Sequence, residues 1–140
     1  MEYRQLGKTG LTVSAIGLGM EHVEQSPETM VEVLGTAVAA GVTYVDTLYG
    51  DPTTRFWDSF GPALKPYRSR MVVSAHITDP RFDLPRCESC FEAVLERLGG
   101  YADVGLCPMV DDESALGGWV QVSLQLLQRH KEQEHPRRRH

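Results

Sequence analysis

Short apolar runs alternate with amphipathic helical segments along this chain, and that alternation constrains its fold more than any other feature. The strand-like runs begin about every 30 residues, which is the length of one strand–helix unit. Four such units in series predict a parallel sheet with right-handed crossover connections. The four predicted strands are residues 13–18, 42–45, 71–75 and 103–107.

The segment before these units has the pattern of a β-hairpin. Two short extended runs, Tyr3–Leu6 and Leu11–Ser14, flank the turn sequence GKTG, as in a tight antiparallel connection. Gly17 and Gly19 then end the first predicted buried strand. Two glycines at such a point predict a loop whose backbone passes close to another group.

The helices between the strands have recognisable boundaries and inner faces. Ser26 is a suitable N-cap for a helix with Pro27 at its first position, and Gly41 ends that helix. Pro62 predicts an irregular end to the second helix. The apolar faces of the last three helices are predicted to be Phe56, Trp57, Phe60 and Leu64; Cys87, Cys90, Phe91, Val94, Leu95 and Leu98; and Val122, Leu126 and Leu127 within residues 119–130.

Composition narrows the classes of function. The chain has 140 residues, 41% of them hydrophobic, which supports one domain with one core. With 14 basic against 19 acidic residues and no basic stripe, it is not expected to bind nucleic acid. No apolar run approaches the roughly 18 residues of a membrane span, and no secretory signal begins the sequence. The odd number of cysteines, three, is typical of a reducing compartment, so a cytoplasmic location is expected.

Asp46 is the first candidate for chemistry, because it follows the second predicted strand directly. Side chains at the carboxyl ends of parallel strands face the crevice in which barrels and open α/β sheets bind ligands. Tyr49 lies three residues later, so the two are a candidate proton-transfer pair. The alternative is that Asp46 caps the loop backbone and that Tyr49 is a packed aromatic ring.

Two further sets of residues have metal-binding or redox chemistry. Cys87 and Cys90 form a C-x-x-C motif, but both are on the predicted apolar face of their helix, which favours packing. No second motif completes the four ligands of a structural zinc site. A second set lies at strand ends without diagnostic spacing and comprises His22, Asp46, His76 and Cys107.

Four stretches of the chain carry a family resemblance. They read YRQLGKTGLTVSAIGLGM, AAGVTYVDT, FWDSFGPALKPYRSRMVVSAH and CFEAVLERLGGYADVGL. Together they resemble the aldo/keto reductases over about residues 2–133. The resemblance implies an NADPH-dependent reduction of carbonyl compounds in a (β/α)8 barrel, a fold that needs roughly 250 residues. Residues 1–133 are therefore expected to form the N-terminal half of such a barrel.

The resemblance also implies positions for the catalytic Asp, Tyr, Lys and His of that family. Asp46 matches the aspartate, and Tyr49 stands two residues short of the usual tyrosine position. His76 stands where the lysine is expected, and Cys107 or Pro108 stands where the histidine is expected. The predicted catalytic residues are accordingly Asp46, Tyr49 and His76.

The cofactor implied by the resemblance is NADP, and the substrate is a small carbonyl compound. The nicotinamide end is expected to touch Gly19 and Met20 in the loop after the first strand. In the family most contacts to the adenosine phosphate come from the last two strands, so the isolated half is expected to bind NADPH poorly and to be inactive. A non-catalytic half-barrel scaffold is the alternative function, and a metal-binding enzyme is the third.

Residues 134–140 depart from the family pattern. The sequence EHPRRRH follows KEQ where the family continues towards a fifth strand, which suggests a frameshift or an engineered truncation and an aberrant or disordered tail. Four strands also leave two open sheet edges and an apolar face. A homodimer through these open barrel edges is therefore expected.

Overall fold

The chain begins with the predicted antiparallel hairpin, formed by β1 (Tyr3–Gln5) and β2 (Thr12–Ser14). The computed structural model describes residues 1–21, 23, 25–77, 84–107, 113, 116–117 and 120–133. The predicted tail, residues 134–140, lies outside these ranges, as do His22, Pro108 and Trp119. The hairpin is anchored to the body by Ser14 and Thr43, whose backbone amides each donate to the other's side-chain hydroxyl at 2.8 and 2.9 Å.

The predicted bounds of the first buried strand, residues 13–18, are wrong. Val13 and Ser14 belong to the hairpin, where they pair with Arg4 and Tyr3, and the first parallel strand, β3, is only Leu18–Gly19. An apolar run does not reveal which partner its backbone will take, and here the run is shared between two sheets. The close approach predicted at Gly17 is confirmed, since a Cβ there would lie 2.9 Å from the Tyr44 ring.

Four parallel strands form the main sheet, as the repeating pattern predicts. They are β3, β4 (Tyr44–Asp46), β5 (Val72–His76) and β6 (Val104–Leu106), and they lie in chain order with every neighbouring pair parallel. Sequential parallel neighbours separated by helices are the arrangement of one half of a (β/α)8 barrel. The predicted fold class is confirmed, and apart from the start of the first strand the observed strand ends differ from the predicted ones by one or two residues.

Helices connect and follow these strands. The first helix is capped as predicted, because the Ser26 hydroxyl accepts from the Thr29 amide at 3.3 Å and Gly41 follows its end with a φ of 87°. Pro62 lies inside the second helix, which continues as a 3₁₀ helix, so the predicted irregularity is confirmed. The helical segments are α1 (Pro27–Ala39), α2 (Phe56–Leu64), the 3₁₀ helix (Lys65–Arg70), α3 (Leu84–Arg97), a π-helical turn (Val120–Leu124) and α4 (Gln125–Gln133).

One face of the sheet packs against the helices and forms the core. Val45, Val73 and Ala75 contribute the sheet side and are fully buried. Each fully buried large apolar side chain contributes about 1.5–3 kcal/mol relative to exposure. The principal helix side chains opposite them are Met30, Leu34, Phe56, Trp57, Phe60, Phe91 and Val94.

The other face of the sheet is less covered. Side chains alternate between faces along a strand, so the residues in register with Asp46 and Ser74 share this second face. On it, Tyr44, Val104 and Leu106 are only half-buried. Their partial exposure is what is expected for the inner surface of an incomplete barrel.

A buried ion pair joins the 3₁₀ helix to the segment before β6. Arg68 donates to the Asp103 carboxylate at 2.9 Å and to the Tyr101 carbonyl at 2.9 Å, and its guanidinium lies 3.8 Å from the centre of the Tyr101 ring. The same Asp103 oxygen accepts from the Val73 amide at 2.9 Å. Both charged groups are therefore well partnered, which a buried pair requires.

Among the described helices, none combines the length and the apolar character that a bilayer span requires.

Candidate functional site

The carboxyl ends of β4 and β5 bring Asp46 and His76 into direct contact. Asp46 is paired in register with Ser74, and His76 lies two residues beyond Ser74 on the same face of the sheet. The His76 Nε2 atom lies 2.7 Å from Asp46 Oδ1. Two residues that the sequence marked as catalytic candidates thus contact each other at the end of the sheet where barrels bind ligands.

The two members of this contact differ in their exposure. The Asp46 side chain is 34% exposed, whereas the His76 side chain is only 8% exposed. Within the described residues, His76 Nδ1 is buried without a hydrogen-bond partner. A carboxylate only accepts hydrogen bonds, so the proton of a neutral His76 lies on Nε2 and is donated to Asp46.

Asp46 also holds the loop that follows it. Its Oδ1 atom accepts from the Leu48 amide at 3.0 Å, so the loop-capping role considered as the alternative is present together with the contact to His76. Leu48 has a φ of 56°, and the Tyr49 amide donates to the Thr47 carbonyl across it at 2.7 Å. This is a γ-turn of the strained kind.

Hydrogen bonds from Thr47 to β5 hold the strained turn in place. This fully buried residue donates to the Ser74 carbonyl through both its amide and its hydroxyl, at 3.3 and 3.0 Å. A residue such as Leu48 costs about 1–3 kcal/mol in a sparsely populated backbone region. The two bonds of Thr47 therefore help to hold the loop next to the Asp46–His76 contact.

Tyr49 packs towards α2. It is half-buried, and its ring lies 4.7 Å from the Phe56 ring at an interplanar angle of 31°. Its partly buried ring adjoins the core, which is the packing role that the sequence left open. The structure thus brings Asp46 and His76 together and holds Tyr49 by an aromatic contact with the helix layer.

Gly19 and Met20, the predicted cofactor contacts, differ in what they expose. Gly19 is exposed and lies opposite Asp46 in the sheet register, with no atom within 4 Å of the position that a Cβ would take. Met20 is 1% exposed, and its amide donates to the Asp46 carbonyl at 3.0 Å. Of these two residues, it is therefore Gly19 that presents open surface opposite Asp46.

The metal-binding set proposed for the strand ends is not assembled in the described part of the chain. The ligand atoms of Asp46, His76 and Cys107 do not all lie within 4.8 Å of one another. His22, the fourth member, is outside the described residues. Cys87 is fully buried in the core and Cys90 is half-buried, and neither forms a disulfide bond with a described residue, so the predicted packing role of Cys87 is confirmed.

The loop between the site and α2 is held by Asp51. Its Oδ1 atom accepts from the amide and the hydroxyl of Thr53 at 2.8 and 2.7 Å, and its carbonyl accepts from Trp57 Nε1 at 2.9 Å. These bonds from Thr53, with a smaller contribution from the Arg86 guanidinium, lower the pKa of the Asp51 carboxyl below its ordinary value of 3.8. Beyond the turn-forming residues Asp51 and Pro52, no feature of the sequence indicates this arrangement.

The backbone arrangement has counterparts among solved structures. A putative aldo-keto reductase from Pseudomonas aeruginosa matches 91% of this chain with a TM-score of 0.66 at 23% identity. The aldo-keto reductase AKR11C1 from Bacillus halodurans, in its holo form, matches 89% with a TM-score of 0.66 at 21% identity. The fold is that of the N-terminal half of an aldo-keto reductase barrel. No protein-family model and no curated protein matches the sequence.

This half-barrel spans 55% and 47% of the two solved chains, or about half of each. The identities are too low to carry more than the fold. Within the half-barrel, Asp46 and His76 end the second and third parallel strands, at the carboxyl-terminal face where barrel enzymes place their chemistry.

Proposed function

We propose that the chain forms one wall of an NADPH-dependent carbonyl reductase and contributes Asp46 and His76 to its active site. The observation that carries the proposal is the 2.7 Å contact between these two side chains at the carboxyl ends of β4 and β5. A hydrogen-bonded acid–imidazole pair is a common proton-transfer unit in enzymes. Likeness of fold to aldo-keto reductases gives the reaction class to be tested.

In the proposed reaction the cofactor supplies a hydride and a side chain supplies a proton. When bound, NADPH supplies a hydride to the carbonyl carbon of the substrate. Tyr49 is the proposed donor of the proton that the carbonyl oxygen receives. His76, whose Nε2 atom lies 2.7 Å from Asp46, stands where the resemblance places a lysine, and its proposed role is to support this proton transfer.

Gly19 is the described residue best suited to border the nicotinamide. It is exposed and opposite Asp46 in register, and the space beside its Cα is open. Met20 is suited to holding this loop in place, because its side chain is buried and its amide donates a hydrogen bond to the Asp46 carbonyl. Since the chain spans about half of the solved reductases, we expect weak NADPH binding and no turnover from the isolated chain.

Weak binding is measurable by two-dimensional NMR of the ¹⁵N-labelled chain titrated with NADPH. We expect saturable shifts of the amides of Gly19, Asp46 and His76. Gly19→Val is expected to remove them without unfolding the protein, because a β-branched side chain suits a strand and meets nothing at its Cβ.

Val31→Ala is the control, since Val31 lies exposed on α1. The proposal is contradicted if NADPH causes no amide shifts in the wild-type chain. It is also contradicted if the same shifts persist unchanged in Gly19→Val.

A non-catalytic half-barrel scaffold is the second candidate. It is favoured by the structural roles of two predicted catalytic residues: Tyr49 packs against Phe56, and Asp46 accepts a hydrogen bond from the Leu48 amide. A scaffold is expected to show no NADPH-dependent shifts in the same titration. The odd number of cysteines, three, supports a reducing, cytoplasmic location for either candidate.

A further inference from the structure

Three ligand-type side chains from two helices converge at a partly exposed position of the helix layer. Glu88 and Glu92 come from α3, and His130 comes from α4. Their nearest ligand atoms, one from each side chain, all lie within 4.8 Å of one another. They form the only such group of three in the described part of the chain.

The positions of these side chains follow from local structure. Glu88 and Glu92 are four residues apart on a helix, so they share one face. The His130 ring packs edge-on against Phe91 with the ring centres 5.1 Å apart, which orients the imidazole on the neighbouring helix. An imidazole held near two carboxylates from another element makes the group more than a pair of surface acids.

The charges of the group are only partly offset by protein. Like charges four residues apart on a helix repel each other by a few tenths of a kcal/mol. One carboxylate oxygen of Glu88 lies 3.2 Å from Arg129 Nη1. Glu92 and the second oxygen of Glu88 remain for a further cation, while Arg129 lowers the affinity for any cation that arrives.

We propose that Glu88, Glu92 and His130 bind one Zn²⁺ ion that bridges α3 and α4. Two carboxylates and one imidazole are suitable zinc ligands, and water would complete a tetrahedral site. Ligand atoms of such a site lie about 3.4 Å apart, which is closer than the 4.8 Å limit within which these three atoms lie, so rotamer changes of the side chains would complete the site. The ion would fasten the last described helix to the body of the half-barrel.

Zinc binding is tested with the full 140-residue chain and Zn²⁺ alone, by isothermal titration calorimetry and thermal unfolding. The wild type is expected to bind one equivalent and to unfold at a higher temperature with Zn²⁺. Glu92→Gln and His130→Gln are expected to lose at least about tenfold in affinity, because even residues that only support a ligand cost that much when changed.

Two control variants test whether Zn²⁺ affinity depends on these particular ligands and on the charge beside them. Glu96→Gln, one turn further along the same helix and exposed, is expected to bind as the wild type does. Arg129→Gln is expected to bind more tightly, because it removes the positive charge at Glu88. The proposal is overturned if the wild type shows no saturable Zn²⁺ binding, or if Glu92→Gln and His130→Gln keep its affinity.

Discussion

At the scale of single residues, Asp46 uses one carboxylate oxygen for two purposes. It accepts from the Leu48 amide at 3.0 Å and lies 2.7 Å from His76 Nε2. The first contact holds the loop after β4, and the second joins the ends of two strands. Asp46 is therefore both a structural and a candidate chemical residue, and a loss of activity on its replacement would not by itself separate the two roles.

His76 provides a direct test of the site geometry. Its neutral ring is expected to carry the proton on Nε2, because Asp46 only accepts and Nδ1 has no partner among the described residues. Long-range ¹H–¹⁵N NMR at mildly alkaline pH distinguishes the two tautomers. Asp46→Ala is expected to release the ring into a tautomer mixture. A dominant Nδ1–H form in the wild type would refute the described contact.

Asp51 gives a prediction for pH dependence. Its folded-state pKa is lowered by the Thr53 bonds, so its stabilising contribution is present above the ordinary pKa of 3.8 and is lost as the pH falls through the lower folded-state value. Asp51→Ala is expected to cost about 0.5 kcal/mol at neutral pH, the low end for a hydrogen bond, because the residue is exposed.

Urea unfolding of the wild type and Asp51→Ala at neutral and strongly acidic pH measures this difference. The gap is expected to close in acid. Asp51→Asn, which keeps an oxygen acceptor but does not titrate, is the matched control. A gap between the wild type and Asp51→Ala that stays constant with pH would show that the charge of Asp51 does not contribute.

Which residues meet was only partly predictable from the sequence. Asp46 and His76 each follow or end a predicted parallel strand, so their placement at one edge of the sheet was expected, whereas their 2.7 Å contact depends on the strand register. The contact of the Tyr49 ring with Phe56 depends on the turn at Leu48, and a positive φ at leucine has no sequence signal.

At the scale of elements, Arg68 joins segments that are distant in sequence. It donates to carbonyls of Leu98, Met71 and Tyr101 and to the Asp103 carboxylate. One side chain thus ties the 3₁₀ helix to the end of α3 and to the start of β6. Nothing in the sequence around Arg68 distinguished it from the neighbouring Arg70, because burial is decided by the direction of the 3₁₀ turn.

Arg68→Met is expected to destabilise the fold by about 3–5 kcal/mol, because it removes the buried hydrogen bonds that Arg68 donates to Asp103 and to three carbonyls. Arg97→Met is the matched control. Arg97 pairs with Asp58 at 3.3 Å on the surface, where an ion pair contributes about 1 kcal/mol or less. Urea unfolding monitored by circular dichroism compares the two. Equal losses in both variants would contradict a special role for Arg68.

Element types were easier to predict than their ends. The Ser26 cap and the glycine after α1 are local signals, and both are confirmed. The start of the first parallel strand was harder to predict, because Val13 and Ser14 pair within the hairpin and only Leu18 and Gly19 join the parallel sheet. Leu18 pairs with Val45, which is distant in sequence, and a register of that kind leaves little trace in a short window of sequence.

At the scale of the whole molecule, the four-stranded sheet has two edges. β3 and β6 each pair with one neighbour in the described structure, and β6 is only half-buried throughout. An unpaired parallel edge is a site for association with another chain. Two copies joined edge to edge supply eight strands, which is the number in the barrels that this chain resembles.

The 140-residue chain on its own is therefore expected to form a homodimer with twice its mass of 15.6 kDa. Size-exclusion chromatography with light scattering measures this mass. Leu106→Lys on β6 is expected to weaken the dimer by placing a charge at the edge, whereas Val31→Lys on the exposed side of α1 is expected to leave it unchanged. A monodisperse monomer with a sharp thermal transition would contradict the expectation.

The hairpin has a practical consequence for measurements on this protein. It is attached near the amino end of β4, through Tyr3 to the Gly41 carbonyl and through Ser14 to Thr43, whereas Asp46 ends that strand. A purification tag or fluorescent dye fused to Met1 would therefore be carried on the side remote from the Asp46–His76 contact. Immobilisation through that terminus should leave the strand ends accessible to small molecules in surface-based assays.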